Sequence, residues 1–219
     1  MSSYKIFETH AHYDDEAFDE DRDVLLGSMD ENGIQEVVNV CASIDSLEKT
    51  KALMEKYSFV YGAFGIHPDD AELVTEEVLD KVRECCGLEK AVAVGEIGLD
   101  YYWHKEAGEH ELQKKVFRQQ MEIARELHMP FMVHSREAAA DTLDLVKDCV
   151  NEGMYGGIIH CFSYGKEMAK EYLNMGLYLG IGGVVTFNNA RKVKEVVEYA
   201  PLEQIVLETD SPYLSPVPY

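Results

Sequence analysis

The chain has 219 residues, 46% of them apolar, and a formal net charge of −21. That is enough chain for one large domain with a sizeable core. The acidic balance argues against a surface that coats duplex DNA, and the lack of a run of about 18 uncharged apolar residues excludes a membrane-spanning helix.

The start, MSSYKIFETH, lacks the basic and apolar regions of a secretory signal. Strand-like apolar runs then recur at 4–8 (YKIFE), 36–42, 59–66, 91–97, 130–134, 155–160, 176–183 and 204–209. They are short, rich in Val and Ile, and mostly unalternating, which suits parallel strands buried on both faces. Helical segments are expected at 21–31, 45–56, 75–86, 109–128, 136–150, 166–174 and 190–199. In 109–128, Leu112, Val116, Phe117, Ile123, Ala124 and Leu127 share a face. Alternation of this kind predicts an α/β fold, a (β/α)8 TIM barrel forming a single domain over 1–219. An open doubly wound sheet is the alternative, disfavoured because no GxGxxG follows the first strand. Seven helices for eight strands imply that the last helix is missing. The five cysteines are scattered, odd in number and without a CxxC, which implies reduced thiols in a cytoplasmic protein.

Five of the eight histidines, His10, His12, His67, His134 and His160, fall at the C-terminal ends of predicted strands. Those ends form one face of a barrel, where active sites are built. An HxH such as His10 and His12 directs both rings the same way along a strand, yet alone it fits ordinary core or surface histidines equally well. The combination is more specific. Glu96 ends the fourth run, His134 the fifth, His160 the sixth and Asp210 the eighth. Four imidazoles and two carboxylates exceed the needs of one tetrahedral ion. They suit two divalent ions about 3.5–4 Å apart. Glu208 points the same way as Asp210 but deeper, either orienting a ligand or serving as a buried structural acid.

The motifs THAH, GIHP at 65–68, GEIGLDYYW at 95–103, HSREA at 134–138, HCFS at 160–163 and LETDSPYLSPVP at 207–218 occur in this order. With them the chain resembles the TatD family of metal-dependent deoxyribonucleases, within the amidohydrolase-like barrels. The resemblance implies that His10 and His12 hold a first metal with Glu96 and Asp210, and that Glu96 bridges to a second held by His134 and His160. It implies that His67 contacts the substrate phosphate. It also implies Mg²⁺-dependent removal of nucleotides from DNA 3′ ends, single strands favoured. Members usually continue past the PVP tail, whereas this sequence stops at Tyr219. A short C-terminus and uncovered apolar outer faces on the first and last strands are therefore expected.

The expected chemistry is phosphodiester hydrolysis by a metal-activated water, with Asp210 and Glu96 catalytic and Asp210 taking the proton. His67 and Arg136 would offset phosphate charge, and Arg136 could equally pair with a nearby acid. Tyr101, Tyr102 and Trp103 are candidates to stack a terminal base, against loop packing for at least one of them. His104, Lys105 and Arg191 are weaker phosphate candidates. Four imidazoles favour Zn²⁺, Mn²⁺ or Fe²⁺ over the Mg²⁺ of the resemblance. The expected partner is a DNA 3′ end, with no membrane and no obligate protein partner. The alternatives are a small-molecule metallohydrolase acting on an ester, lactone, amide or phosphoester, and a metal-binding barrel without catalysis.

Overall fold

The computed structural model describes residues 5–219. Residue 4, with which the first predicted strand begins, lies outside the described residues. Eight strands alternate with helices: β1 (Ile6–Ala11), α1 (Arg22–Gly27), β2 (Ile34–Val40), α2 (Ile44–Lys56), β3 (Val60–Phe64), α3 (Glu76–Cys86), β4 (Ala91–Asp100), α4 (Ala107–Glu126), β5 (Phe131–Arg136), α5 (Ala139–Asn151), β6 (Gly157–Ile159), α6 (Lys166–Asn174), β7 (Tyr178–Ile181), α7 (Arg191–Tyr199) and β8 (Ile205–Leu207). The strands pair in parallel in sequence order, β1 to β8, as in a TIM barrel. Registers such as Val40 opposite Ala63, Phe64 opposite Val94 and Ile97 opposite Val133 bring the strand ends to one mouth.

The seam between β1 and β8 is closed by individual bonds. Thr9 Oγ1 donates to the Leu207 carbonyl at 2.8 Å, Asp210 N–H to the His10 carbonyl at 2.9 Å, and His12 N–H to the Ser211 carbonyl at 2.8 Å. The Glu8 carboxylate accepts from Thr209 N–H at 2.9 Å and His10 N–H at 3.1 Å.

Helix starts follow from short polar side chains that accept orphan backbone N–H groups: Ser43 caps α2 and Thr75 caps α3, while Glu106 and Glu109 form a capping box on α4. The helices bury one face against the outer faces of the strands. Phe64, Phe117 and Phe131 are fully buried there, each stabilising the fold by about 1.5–3 kcal/mol on the usual burial scale. A smaller cluster of Val38, Val40, Ala63, Ala93 and Met132 packs separately. Strand alternation assigns it to the barrel interior, beneath the mouth. Helix α4 also buries two glutamines. Gln120 exchanges two hydrogen bonds with the backbone of Ile66, at 2.8 and 3.0 Å. Gln113 receives Asp100 N–H at 3.0 Å and donates to Pro68. These side chains pin the mouth ends of β3 and β4.

Two elements differ from expectation. The helix expected over 21–31 stops at Gly27, because Asn32 Nδ2 donates back to the Ser28 carbonyl and Gly33, at φ 82°, turns the chain into β2. Strand β1 runs on to Ala11, past the apolar run, because inward residues at the mouth are polar for reasons of chemistry. Among the described residues no helix follows β8, and Phe7 and Leu207, on the outer faces of β1 and β8, are 47% and 61% exposed. None of the described helices is long and apolar enough to cross a membrane.

Candidate metal centre

Alternation along β1 turns Glu8, His10 and His12 inward. Strands β4 and β5 carry Glu96 and His134, and His160 follows directly on β6, in the same inward row. Asp210, past β8, sits at φ 60°, a left-handed conformation that Asp enters more readily than most residues. Its carboxylate reaches His12 Nε2 at 3.4 Å and His10 Nε2 at 3.7 Å.

The four histidines among the six predicted ligands converge on Glu96. Its Oε2 lies 3.4 Å from His10 Nε2 and 3.6 Å from His12 Nε2. Its Oε1 lies 2.7 Å from His160 Nε2 and 2.9 Å from His134 Nδ1. The two His–His contacts, His10 Nε2 to His12 Nε2 and His134 Nδ1 to His160 Nε2, are 3.3 and 3.4 Å. Donors about 2.0–2.1 Å from a tetrahedral ion lie about 3.3 Å from one another, so the spacing and donor types fit a metal centre. Three overlapping groups could each hold an ion: His10, His12 and Glu96; His10, His160 and Asp210; and His67, Glu96 and His134.

Without an ion, the site distributes charge unevenly. Burial, reinforced by neighbouring His160, pushes His10 down to about 4. Burial also opposes charge on His12, but its contacts with Asp210 and Glu96 outweigh this and lift it to about 9. His134 rises to about 9, since Asp100 and Glu96 overcome the same burial. Glu96 and Asp210 are held below the usual carboxylate range despite burial, chiefly by His160 for Glu96 and by His12 for Asp210. Glu208 behaves oppositely, because burial dominates and pushes it up to about 7. It accepts from Cys161 N–H and stands 3.8 Å from His160 Nδ1. A side chain at Gly180 would collide with its carboxylate.

A cavity of about 600 Å³ opens over these groups, lined further by His67, Asp69, Trp103, Arg136 and Tyr213. His67 caps a short 3-10 helix, Pro68–Leu73, and its Nε2 lies 3.8 Å from Glu96 Oε1. Arg136 stacks over Tyr102, with its guanidinium carbon 4.1 Å from the ring centre, and reaches Trp103 at 5.6 Å. Tyr101 is not among the lining residues. Its hydroxyl donates to Asp141 at 2.7 Å and its ring stacks on His110, so it packs the loop instead of facing the cavity. His104 is engaged by Asp69 and Glu109, and Arg191 by Glu195. Lys105 lies over Tyr102.

Asp100 and Asp69 were given no role by sequence reasoning. Asp100 lies on β4 four residues beyond Glu96 and holds His134 Nε2 at 3.1 Å. The even spacing along a strand was the available signal. Asp69 touches His67 and His104 at 3.4 and 3.0 Å, and its place in a short 3-10 turn outside the strands gave no comparable hint.

Residues 7–219 match the family described as TatD related DNase. The chain is 39% identical over 214 residues to the uncharacterized metal-dependent hydrolase YabD of Bacillus subtilis, covering 98% of this chain and 83% of that protein. It is 31% identical over 200 residues to a protein of Cronobacter sakazakii named 3′-5′ ssDNA/RNA exonuclease TatD, covering 91% and 75%. Among solved structures, the TatD homolog YJJV of Escherichia coli superposes with a TM-score of 0.89 at 27% identity, covering 98% and 82% of the two chains. The chain therefore belongs to the TatD family.

Proposed function

We propose that the protein is a metal-dependent phosphodiester hydrolase that removes nucleotides from the 3′ ends of single-stranded DNA, using two divalent ions. The observation that carries this reading is the division of Glu96. One carboxylate oxygen faces His10 and His12, with Asp210 beside them, and the other faces His134 and His160. A carboxylate shared in this way is the bridge that a two-ion centre needs. The exonuclease name of the Cronobacter relative supports the choice of substrate.

In this reading His10, His12, Glu96 and Asp210 would hold one ion, and Glu96, His134 and His160 would hold the other. When bound, such ions acidify a water and draw charge from a phosphate. Asp210, at the open side of the cluster, accepts the proton as the water oxygen bonds to phosphorus. The bond from phosphorus to the 3′ oxygen breaks, and that oxygen takes a proton from solvent. His67 Nε2 and the Arg136 guanidinium offset charge on the non-bridging oxygens. Glu208 steadies the ring of His160 from below. The donor set, with four imidazoles, suits Zn²⁺ or Mn²⁺ as well as Mg²⁺.

The competing reading, a hydrolase of small phosphoesters or other esters, draws on the net charge of −21, which offers little to a long polyanion. Both are tested by incubating a 5′-labelled single-stranded oligonucleotide and a panel of chromogenic esters and phosphodiesters with the Mn²⁺-loaded and chelated protein. We expect a ladder shortening from the 3′ end. It should vanish with chelator and fall on the order of 10³-fold in Glu96→Ala, at the upper end of the loss from a single electrostatic donor. Turnover of the panel with an intact oligonucleotide would establish the competing reading.

A further inference from the structure

We propose that Asp100 is a positioning residue that selects Nδ1 of His134 as the atom offered to the metal. The inference rests on the two-ion reading above. Asp100 closes β4 and is 1% exposed. Its Oδ1 accepts from the backbone N–H of Tyr102 at 2.9 Å and of Trp103 at 3.0 Å. Its own N–H donates to Gln113 Oε1 at 3.0 Å. Held on three sides, the carboxylate can present only Oδ2 to His134 Nε2, at 3.1 Å. A carboxylate only accepts, so the proton between the two groups sits on Nε2. That leaves Nδ1, the nitrogen facing Glu96 Oε1 and His160 Nε2, as the atom to give up its proton when an ion binds.

His134 is inverted relative to its neighbours. His10 and His12 meet through Nε2, and His160 reaches Glu96 through Nε2. A ring that ligates through Nε2 needs its proton on Nδ1, and His12 has the matching arrangement, with Nδ1 2.8 Å from the Val40 carbonyl. A ring that ligates through Nδ1 needs an acceptor at the opposite end, and Asp100 supplies it. The same carboxylate ties the turn carrying Trp103 to the ring of a metal ligand, so the cavity rim and the metal centre share one anchor.

The test is Asp100→Asn. The amide oxygen can still accept from Tyr102 and Trp103, which keeps the turn. Its NH₂ then faces His134 and donates, forcing the proton to Nδ1, where it blocks ligation. Two measurements follow on the full chain. Long-range ¹H–¹⁵N spectra of the ion-free protein at alkaline pH, where the His134 ring is neutral, should show its proton on Nε2 in the wild type and on Nδ1 in the variant. Titration with Mn²⁺ against a chromophoric chelator should show two ions in the wild type. In the variant one site should keep its affinity and the other weaken by about 10–100-fold. A neutral wild-type His134 ring with its proton on Nδ1, or a variant that binds both ions as the wild type does, overturns the inference. Should the wild type bind a single ion, the two-ion reading fails, while the ion-free spectra still decide the role of Asp100.

Discussion

Arg136 lies over the ring of Tyr102, its guanidinium carbon 4.1 Å from the ring centre, and this stack stands at the mouth of the cavity that holds Glu96. Trp103, 64% exposed, adds a second aromatic face to the same rim. A base next to the reacting phosphate would meet an indole and a guanidinium in one place. Trp103→Ala should raise KM for single-stranded oligonucleotides roughly tenfold to a hundredfold, from the stacking energy of one base, with kcat within about twofold. Steady-state kinetics on oligonucleotides of different length would check this, and an unchanged KM would remove Trp103 from the substrate path.

Burial lifts Glu208 from 4.5 to about 7. A carboxyl raised in the folded state contributes stability that is complete below the unfolded value. That contribution is lost as pH rises through the folded one. The metal-free protein should therefore lose up to about 3 kcal/mol between pH 4.5 and 7 from this group. Glu208→Gln keeps an acceptor for Cys161 N–H and cannot ionise, so its stability should change less across that range. Urea unfolding of both proteins at either end of the range is the measurement, and parallel pH profiles would contradict the assignment.

Asp69 is depressed to about 2, first by its contact with His67 and then by His104. His104 is raised, since Asp69 and Glu109 outweigh its partial burial. The carboxylate's contribution is present above its unfolded value near 3.8 and is lost as pH falls through about 2. That of the imidazole is present below its unfolded value near 6.5 and is lost as pH rises through the folded one. The pair is thus strongest from about pH 4 to 6.5, and being partly exposed it contributes at most about 1 kcal/mol. His104→Gln should cost stability at pH 5.5 and almost none at pH 9, read from thermal melts. An equal cost at both would show that the ring acts by packing alone.

Phe7 and Leu207 expose apolar area on the outer faces of β1 and β8. Paired apolar surface of this kind promotes association. Phe7→Lys combined with Leu207→Lys should lower self-association in sedimentation experiments while leaving metal uptake intact, because both side chains point away from the barrel interior. Loss of metal uptake would instead tie these positions to closure of the seam.

The barrel was legible in the sequence because its strands are buried on both faces and its helices carry apolar stripes, as in α4. The cluster of histidines at the mouth was legible because a residue type rare in cores recurred at the ends of the apolar runs. What stayed hidden had mixed signals. The mouth half of β1, Thr9 to Ala11, reads as polar although it is strand. Gln113 and Gln120 look like surface residues of α4 and are 2% and 0% exposed. Tyr101 looked like its neighbours in YYW, yet the turn held by Asp100 rotates it toward Asp141 while Trp103 reaches the cavity. Such choices depend on partners distant in sequence, which local pattern cannot supply.

The seam joins the two ends of the chain through residues that also carry the site, with Asp210 N–H on the carbonyl of His10 and His12 N–H on that of Ser211. During synthesis, His10 and His12 leave the ribosome long before Asp210. An unfinished chain therefore holds part of the ligand cluster and none of its closing bonds. Translation timing alone delays the complete cluster of histidines and carboxylates until Asp210 has emerged.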